Sequence, residues 1–192
     1  MKDRSEVINN YVTDMHGVEK HILEAVERQL GEDTTSKYPE AVRVITSLKT
    51  TLQNHVRSLE QYNEKTDGGG VKEAVKEAVT SALGVAAGLY DQIRDTDQVS
   101  RMLRDDYTAT SLAAISYHML YTSALALKAD DLAQLALRNL KDLTPILVDI
   151  SKAICLVVAA EMADQDKAID ASVGAQAVRA TQEAWSGEQV EG

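Results

Sequence analysis

The sequence predicts an all-α protein built around a long antiparallel helical bundle. Three observations carry that prediction. Apolar residues recur at three- and four-residue steps over most of the chain, which is the period of a helix face. Only two prolines, Pro39 and Pro145, and ten glycines punctuate the 192 residues. The apolar content is Ala, Leu, Val and Ile, with no phenylalanine, so good helix formers dominate.

The first helix is expected from about Asp3 to Leu30. Ile8, Tyr11, Met15, Val18, Ile22 and Ala25 line up on one face, and Gly31 ends it. The polar stretch Glu32 to Ser36 reads as a loop. The second helix starts near Pro39, where the missing N–H of the first turn costs nothing. Its stripe is Ala41, Ile45, Leu48, Leu52, His55, Leu59 and Tyr62, and Asp67-Gly68-Gly69-Gly70 stops it.

Val71 to Arg94 reads as a third, amphipathic helix with a small-residue notch at Gly84 and Gly88. Asp95-Thr96-Asp97 offers a cap for a fourth helix running to about Ala129. From Leu112 to Leu127 that helix is apolar nearly all round, so it is expected at the centre of the bundle. After the turn at Ala129 to Asp131, a fifth helix follows on Leu132, Leu135, Asn139, Leu143, Ile146, Ile150, Ile154 and Val157. Pro145 falls inside it and should bend it.

The domain reading is a bundle over residues 1–162 and a polar, partly helical tail over 163–192. Helix is expected from about Val173 to Trp185. Trp185, the only tryptophan, reads either as an anchor docked on the bundle or as an interface residue. The long helices, joined by short loops at the ends and a longer connection in the middle, fit a ferritin-like bundle with one crossover.

Composition narrows the function. The formal charge is −10, from 20 basic and 30 acidic residues. That balance argues against nucleic acid and acidic membranes as partners, both of which select a basic excess. Cys155, the single cysteine, is expected as a small buried hydrophobe. The N-terminal residues have no apolar core of a signal peptide. The longest apolar run, Ala153 to Ala160, falls far short of a bilayer span, so a cytoplasmic location is expected. No CxxC, HExxH, nucleotide-binding glycine motif or Ser-centred elbow occurs.

Tyr11-x-x-Asp14-Met15-His16-Gly17-Val18-Glu19-Lys20-His21-Ile22-Leu23 resembles the opening helix of the ferritin-like stress-protein family typified by the bacterial Yci proteins. Leu52-x-x-His55-x-x-x-Leu59 is similar to that family's second helix, and Met102 to Leu127 to the third helix of a related branch. The resemblance spans about Ser5 to Glu161. It implies a four-helix bundle, often dimeric, with a di-iron or similar centre in the best-known members.

Such a centre needs a carboxylate from each of two helices and a Glu-x-x-His pair from each of the other two, all inward. Glu19 meets that requirement, about 60° from the centre of its stripe. His55 lies on its stripe, but Leu52 occupies the position of the paired glutamate. The fourth helix has no carboxylate between Asp106 and Asp130. His118 is expected to face the core, and Asn139 is the inward polar residue of the last helix. Asp142 and Asp149 are placed on its flanks, and His16 and His21 on the surface.

Two readings follow. In the first, the chain is a non-enzymatic ferritin-like protein, structural or stress-associated, with no metal or cofactor. Glu19 then joins a core polar network with His55, His118, Asn139 or a tyrosine hydroxyl. In the alternative, Glu19, His55 and His118 bind iron or manganese in an oxidase or peroxide-detoxifying protein. A homodimer is expected, because the apolar supply exceeds what one four-helix core needs; the rival is a monomer in which the Val71 to Arg94 helix and the Trp185 tail cover those surfaces.

Overall fold

The structure, a computed structural model, describes residues 4–66 and 98–186. Among the described residues all regular structure is helical: α1 (Arg4–Leu30), α2 (Asp33–Ser36), α3 (Pro39–Thr66), α4 (Val99–Ala126), α5 (Asp130–Gln165) and α6 (Val173–Ser186). The expected helix Val71 to Arg94, its Gly84/Gly88 notch and the Asp95 to Asp97 cap lie outside the described residues.

The local signals act largely where the sequence places them. The Gly31 N–H donates to the Arg28 carbonyl at 2.9 Å and closes α1. The stretch read as a loop at Glu32 to Ser36 contains one helical turn instead. Ser36 Oγ donates to the Asp33 carbonyl at 2.7 Å, and Thr35 is buried beneath the turn. Between α4 and α5, Lys128 adopts φ 54°, the left-handed conformation that reverses the chain. The Ala129 N–H then donates to the Ala124 carbonyl at 2.9 Å. The helix is continuous through Pro145, which has no N–H to offer the Lys141 carbonyl.

The four long helices pack around one core. Each lies against two others: α1 against α3 and α4, and α5 against α3 and α4. Side-chain pairs fix their directions. Glu19 meets His55 and Glu27 meets Lys49, so α1 and α3 are antiparallel. Gln29 meets Asp106 and Glu19 meets Tyr117 across α1 and α4, Arg43 meets Asp149 and His55 meets Asp142 across α3 and α5, and Ser100 meets Glu161 and Tyr117 meets Asn139 across α4 and α5. All four neighbouring pairs are therefore antiparallel, and the diagonal helices α3 and α4 run the same way. The core holds Ile22, Ile45, Leu48, Leu52, Leu103, Leu120, Leu143 and Ile150, among others.

Two expectations about surfaces need correction. The stretch from Leu112 to Leu127 is not buried all round. Ala113, Ala114, Tyr117, Leu120 and Ala124 are buried, but Ile115, Met119 and Leu125 are exposed. Small alanines fill much of the inner face, so bulky residues on the outer face mimic a second apolar stripe in the sequence. Cys155 is half-buried, not buried, with Thr181 Oγ1 of α6 3.8 Å from its sulfur.

The tail forms α6, which lies along α5. Gly174 sets the approach, since a β-carbon there would stand 3.0 Å from Ala159 Cβ and 3.1 Å from the Cys155 carbonyl. Trp185 is exposed, yet its ring meets the edge of Tyr107 on α4 at a centroid distance of 5.9 Å. By length and mean hydropathy (1.9 over 18 residues) α5 could cross a membrane. It packs against α3, α4 and α6, and 33% of that 18-residue window is buried.

Candidate functional site

Glu19 projects from α1 into the interior and is fully buried. It belongs to the inward stripe with Val12, Met15, Ile22 and Val26, so the helix period carries a carboxylate into a dry core. An ionised carboxylate there is costly unless paired. The partner is His55 of α3, also buried, whose Nδ1 lies 2.9 Å from Glu19 Oε1. Burial pushes the Glu19 carboxyl above its usual range. The hydrogen bond and charge of His55 oppose that shift, with help from the Tyr117 hydroxyl and His16.

The other side of the His55 ring faces outward. Its Nε2 is 3.4 Å from Asp142 Oδ2 on α5, a side chain 54% exposed. The imidazole thus stands between a buried and a solvent-facing carboxylate. Asp142 lines a groove of about 400 Å³ between α3 and α5, together with Ser47, Thr51, Asn54, Pro145 and Asp149.

Behind Glu19 the network continues through neutral groups. Tyr117 of α4 is buried, its ring edge-on to His55 at 5.9 Å. Its hydroxyl accepts from Asn139 Nδ2 of α5 at 2.8 Å. Burial, and then the neighbouring Glu19 charge, hold the Tyr117 phenol well above its ordinary range. Asn139 also approaches Ser58 Oγ at 3.5 Å, while Ser58 donates to the His55 carbonyl at 2.9 Å. One polar layer therefore draws on all four long helices.

The sequence placed Glu19, His55 and Asn139 inside, and they meet in this layer. His118 does not join them. It is exposed on α4, and its Nδ1 lies 3.0 Å from the Ala114 carbonyl of its own helix. The inward stripe of α4 is Leu103, Asp106, Thr110, Ala113, Tyr117, Leu120 and Ala124, and His118 is one step off it. The same periodicity in the sequence would have selected Tyr117. His16, read as a surface residue, is buried and pairs through Nε2 with Glu60 Oε1 at 3.1 Å.

Sequence reasoning also passed over a second buried acid. Asp106 is fully buried and accepts from Gln29 Nε2 at 2.9 Å. Burial raises its carboxyl to about 7, against a lowering by the Gln29 hydrogen bond and a smaller raising effect from Asp105. Asp106 Oδ2 and Gln29 Oε1 have no hydrogen-bond partner. This pair sits eleven residues before Tyr117 on α4, or roughly 16 Å at about 1.5 Å per residue, so it cannot share a ligand with Glu19.

Among the described residues, the donor set for a pair of iron or manganese ions does not assemble at Glu19. Such ions need several carboxylate oxygens to offset their charge. The layer supplies one carboxylate inside, engaged with His55, and otherwise a phenol, an amide and a hydroxyl.

The class that fold and layer together define is an all-α protein with an apolar core and one buried polar layer centred on His55. Compared with known family models, curated proteins and solved structures, the chain matches none.

Proposed function

We propose that the chain is a ferritin-like helical protein that acts as a structural or stress-associated component, not as an enzyme. The ferritin-like reading is supported by the antiparallel neighbours and by α3 and α4 running the same way, as one long crossover connection requires. The observation that carries the functional reading is the 2.9 Å Glu19–His55 pair inside a layer completed by Tyr117, Asn139 and Ser58. These residues engage Glu19 Oε1 and one another where an oxidase of this architecture would present four carboxylates and two histidines. The role that remains for such an interior is to fix how the four helices pack. Cytoplasmic location and self-association are part of the same proposal.

The test is elemental analysis of native protein purified without chelator. The expected result is iron and manganese far below one per chain. Stoichiometric metal that is lost on Glu19→Ala would establish the metal-binding alternative instead.

A further inference from the structure

We infer that His55 is a proton conduit between the groove on the α3/α5 surface and the buried Glu19. The path is continuous in space. Asp142 Oδ2 opens on the groove and lies 3.4 Å from His55 Nε2, and His55 Nδ1 lies 2.9 Å from Glu19 Oε1. The imidazole is the side chain suited to this position, because it takes a proton on one nitrogen while releasing one from the other.

The step balances without any co-reactant. A proton reaching Asp142 from water passes to Nε2, and the Nδ1 proton passes to Glu19 Oε1. The ring ends neutral in its other tautomer, and Glu19 ends as a carboxylic acid. Release follows the reverse order, so the ring need not turn over. Glu19 Oε2 has no hydrogen-bond partner, so the acid form leaves no additional acceptor stranded.

The surroundings set the direction of bias. Among the described residues, His55 is the α3 group that faces Glu19 directly, and His16 on α1 acts on it by charge. From α4 the Tyr117 hydroxyl stabilises the anion. From α5 Asp142 lies beyond the ring, and Arg138 acts by charge on Tyr117. Burial favours the neutral acid and these groups favour the anion, with burial the largest influence, so the carboxyl is raised. The device is thus an interior charge that follows external pH while the helices stay packed.

This extends the metal-free reading above, and its failure is distinguishable from the failure of that reading. A metal on Glu19 would hold the carboxylate ionised and would appear in the elemental analysis. The experiment is carbon-13 NMR of protein labelled at glutamate carboxyls, with Glu19 assigned by Glu19→Gln. In the wild type the Glu19 signal should move with pH as one exchange-averaged line while circular dichroism stays native. In His55→Gln the exchange should slow by roughly a hundredfold, the usual loss on removing a positioned proton carrier, and split the line. Asp142→Asn, at an exposed position that should leave folding intact, should slow it by a smaller factor. A Glu19 signal that is invariant with pH in metal-free native protein would overturn the inference. So would an unchanged exchange rate in Asp142→Asn or in folded His55→Gln.

Discussion

Glu19 Oε1 and His55 Nδ1, 2.9 Å apart, tie α1 to α3 at a level where neither side chain reaches water. Removing one member of such a pair leaves the other buried without its partner, which costs about 3 kcal/mol. Glu19→Ala should therefore lower the melting temperature by roughly 6 to 12 °C, given about 2 to 4 °C per kcal/mol in a chain of this size. Thermal melts followed by far-UV circular dichroism check this. An unchanged melting point would mean that the pair does not hold the helices.

Asp106 makes stability depend on pH. Its carboxyl titrates near 7 in the fold, against 3.8 when unperturbed, so the folded chain holds this proton more tightly than the unfolded one. Its contribution to stability is fully present below about pH 4 and is lost as pH rises through about 7. Asp106→Asn removes that loss, and its amide can donate to the free Gln29 Oε1. At pH 8 the variant should be more stable than the wild type by on the order of a few kcal/mol, with little difference near pH 4. Urea unfolding at the two pH values decides it; equal stabilities at pH 8 would contradict the assignment.

Gly174 controls how closely α6 docks. A methyl group there meets Ala159 Cβ at 3.0 Å and Leu156 Cα at 3.2 Å, both on α5. Such overpacking costs about 1 to 3 kcal/mol where neighbours cannot yield. Gly174→Ala should loosen α6 and separate Trp185 from Tyr107, giving a red-shifted, less anisotropic tryptophan emission. Far-UV circular dichroism should change little. Emission identical to wild type would show that the α5/α6 seam tolerates the methyl.

Self-association should pass through the outer face of α4. Ile115, Met119 and Leu125 are exposed there, and a two-fold dimer is the commonest way to cover such a face. Light scattering at micromolar concentration should give about twice 20.9 kDa for the wild type and 20.9 kDa for Ile115→Lys/Met119→Lys. A wild-type mass of 20.9 kDa, unchanged on dilution, would refute the dimer.

The four long helices were legible because their stripes are regular and their ends carry Gly31, Pro39 and a short polar turn. Glu19 and His55 were legible for the same reason, as polar residues in register with an apolar face. On α4 the apolar pattern misleads. Alanines filled the inner face and Ile115 and Met119 the outer one, so hydrophobicity no longer marked the inside. His118 was then assigned inward in place of its neighbour Tyr117. Asp106 was passed over because an acid counts as an exterior signal until its helical register is followed. The pairing of His16 with Glu60 joins residues 44 apart in sequence, and no local pattern reports it.

α6 rests along α5 and meets α4 through the Trp185 ring, while the four long helices brace one another on two sides each. The chain is thus divided into parts of unequal cooperativity. Amides of α6 should exchange with deuterium through a local opening whose free energy lies well below that of global unfolding. Each such opening uncovers Cys155, so thiol labelling should proceed at the opening rate of α6, and a protease cut in the segment 166–172 should release α6 without unravelling the helices it leaves behind.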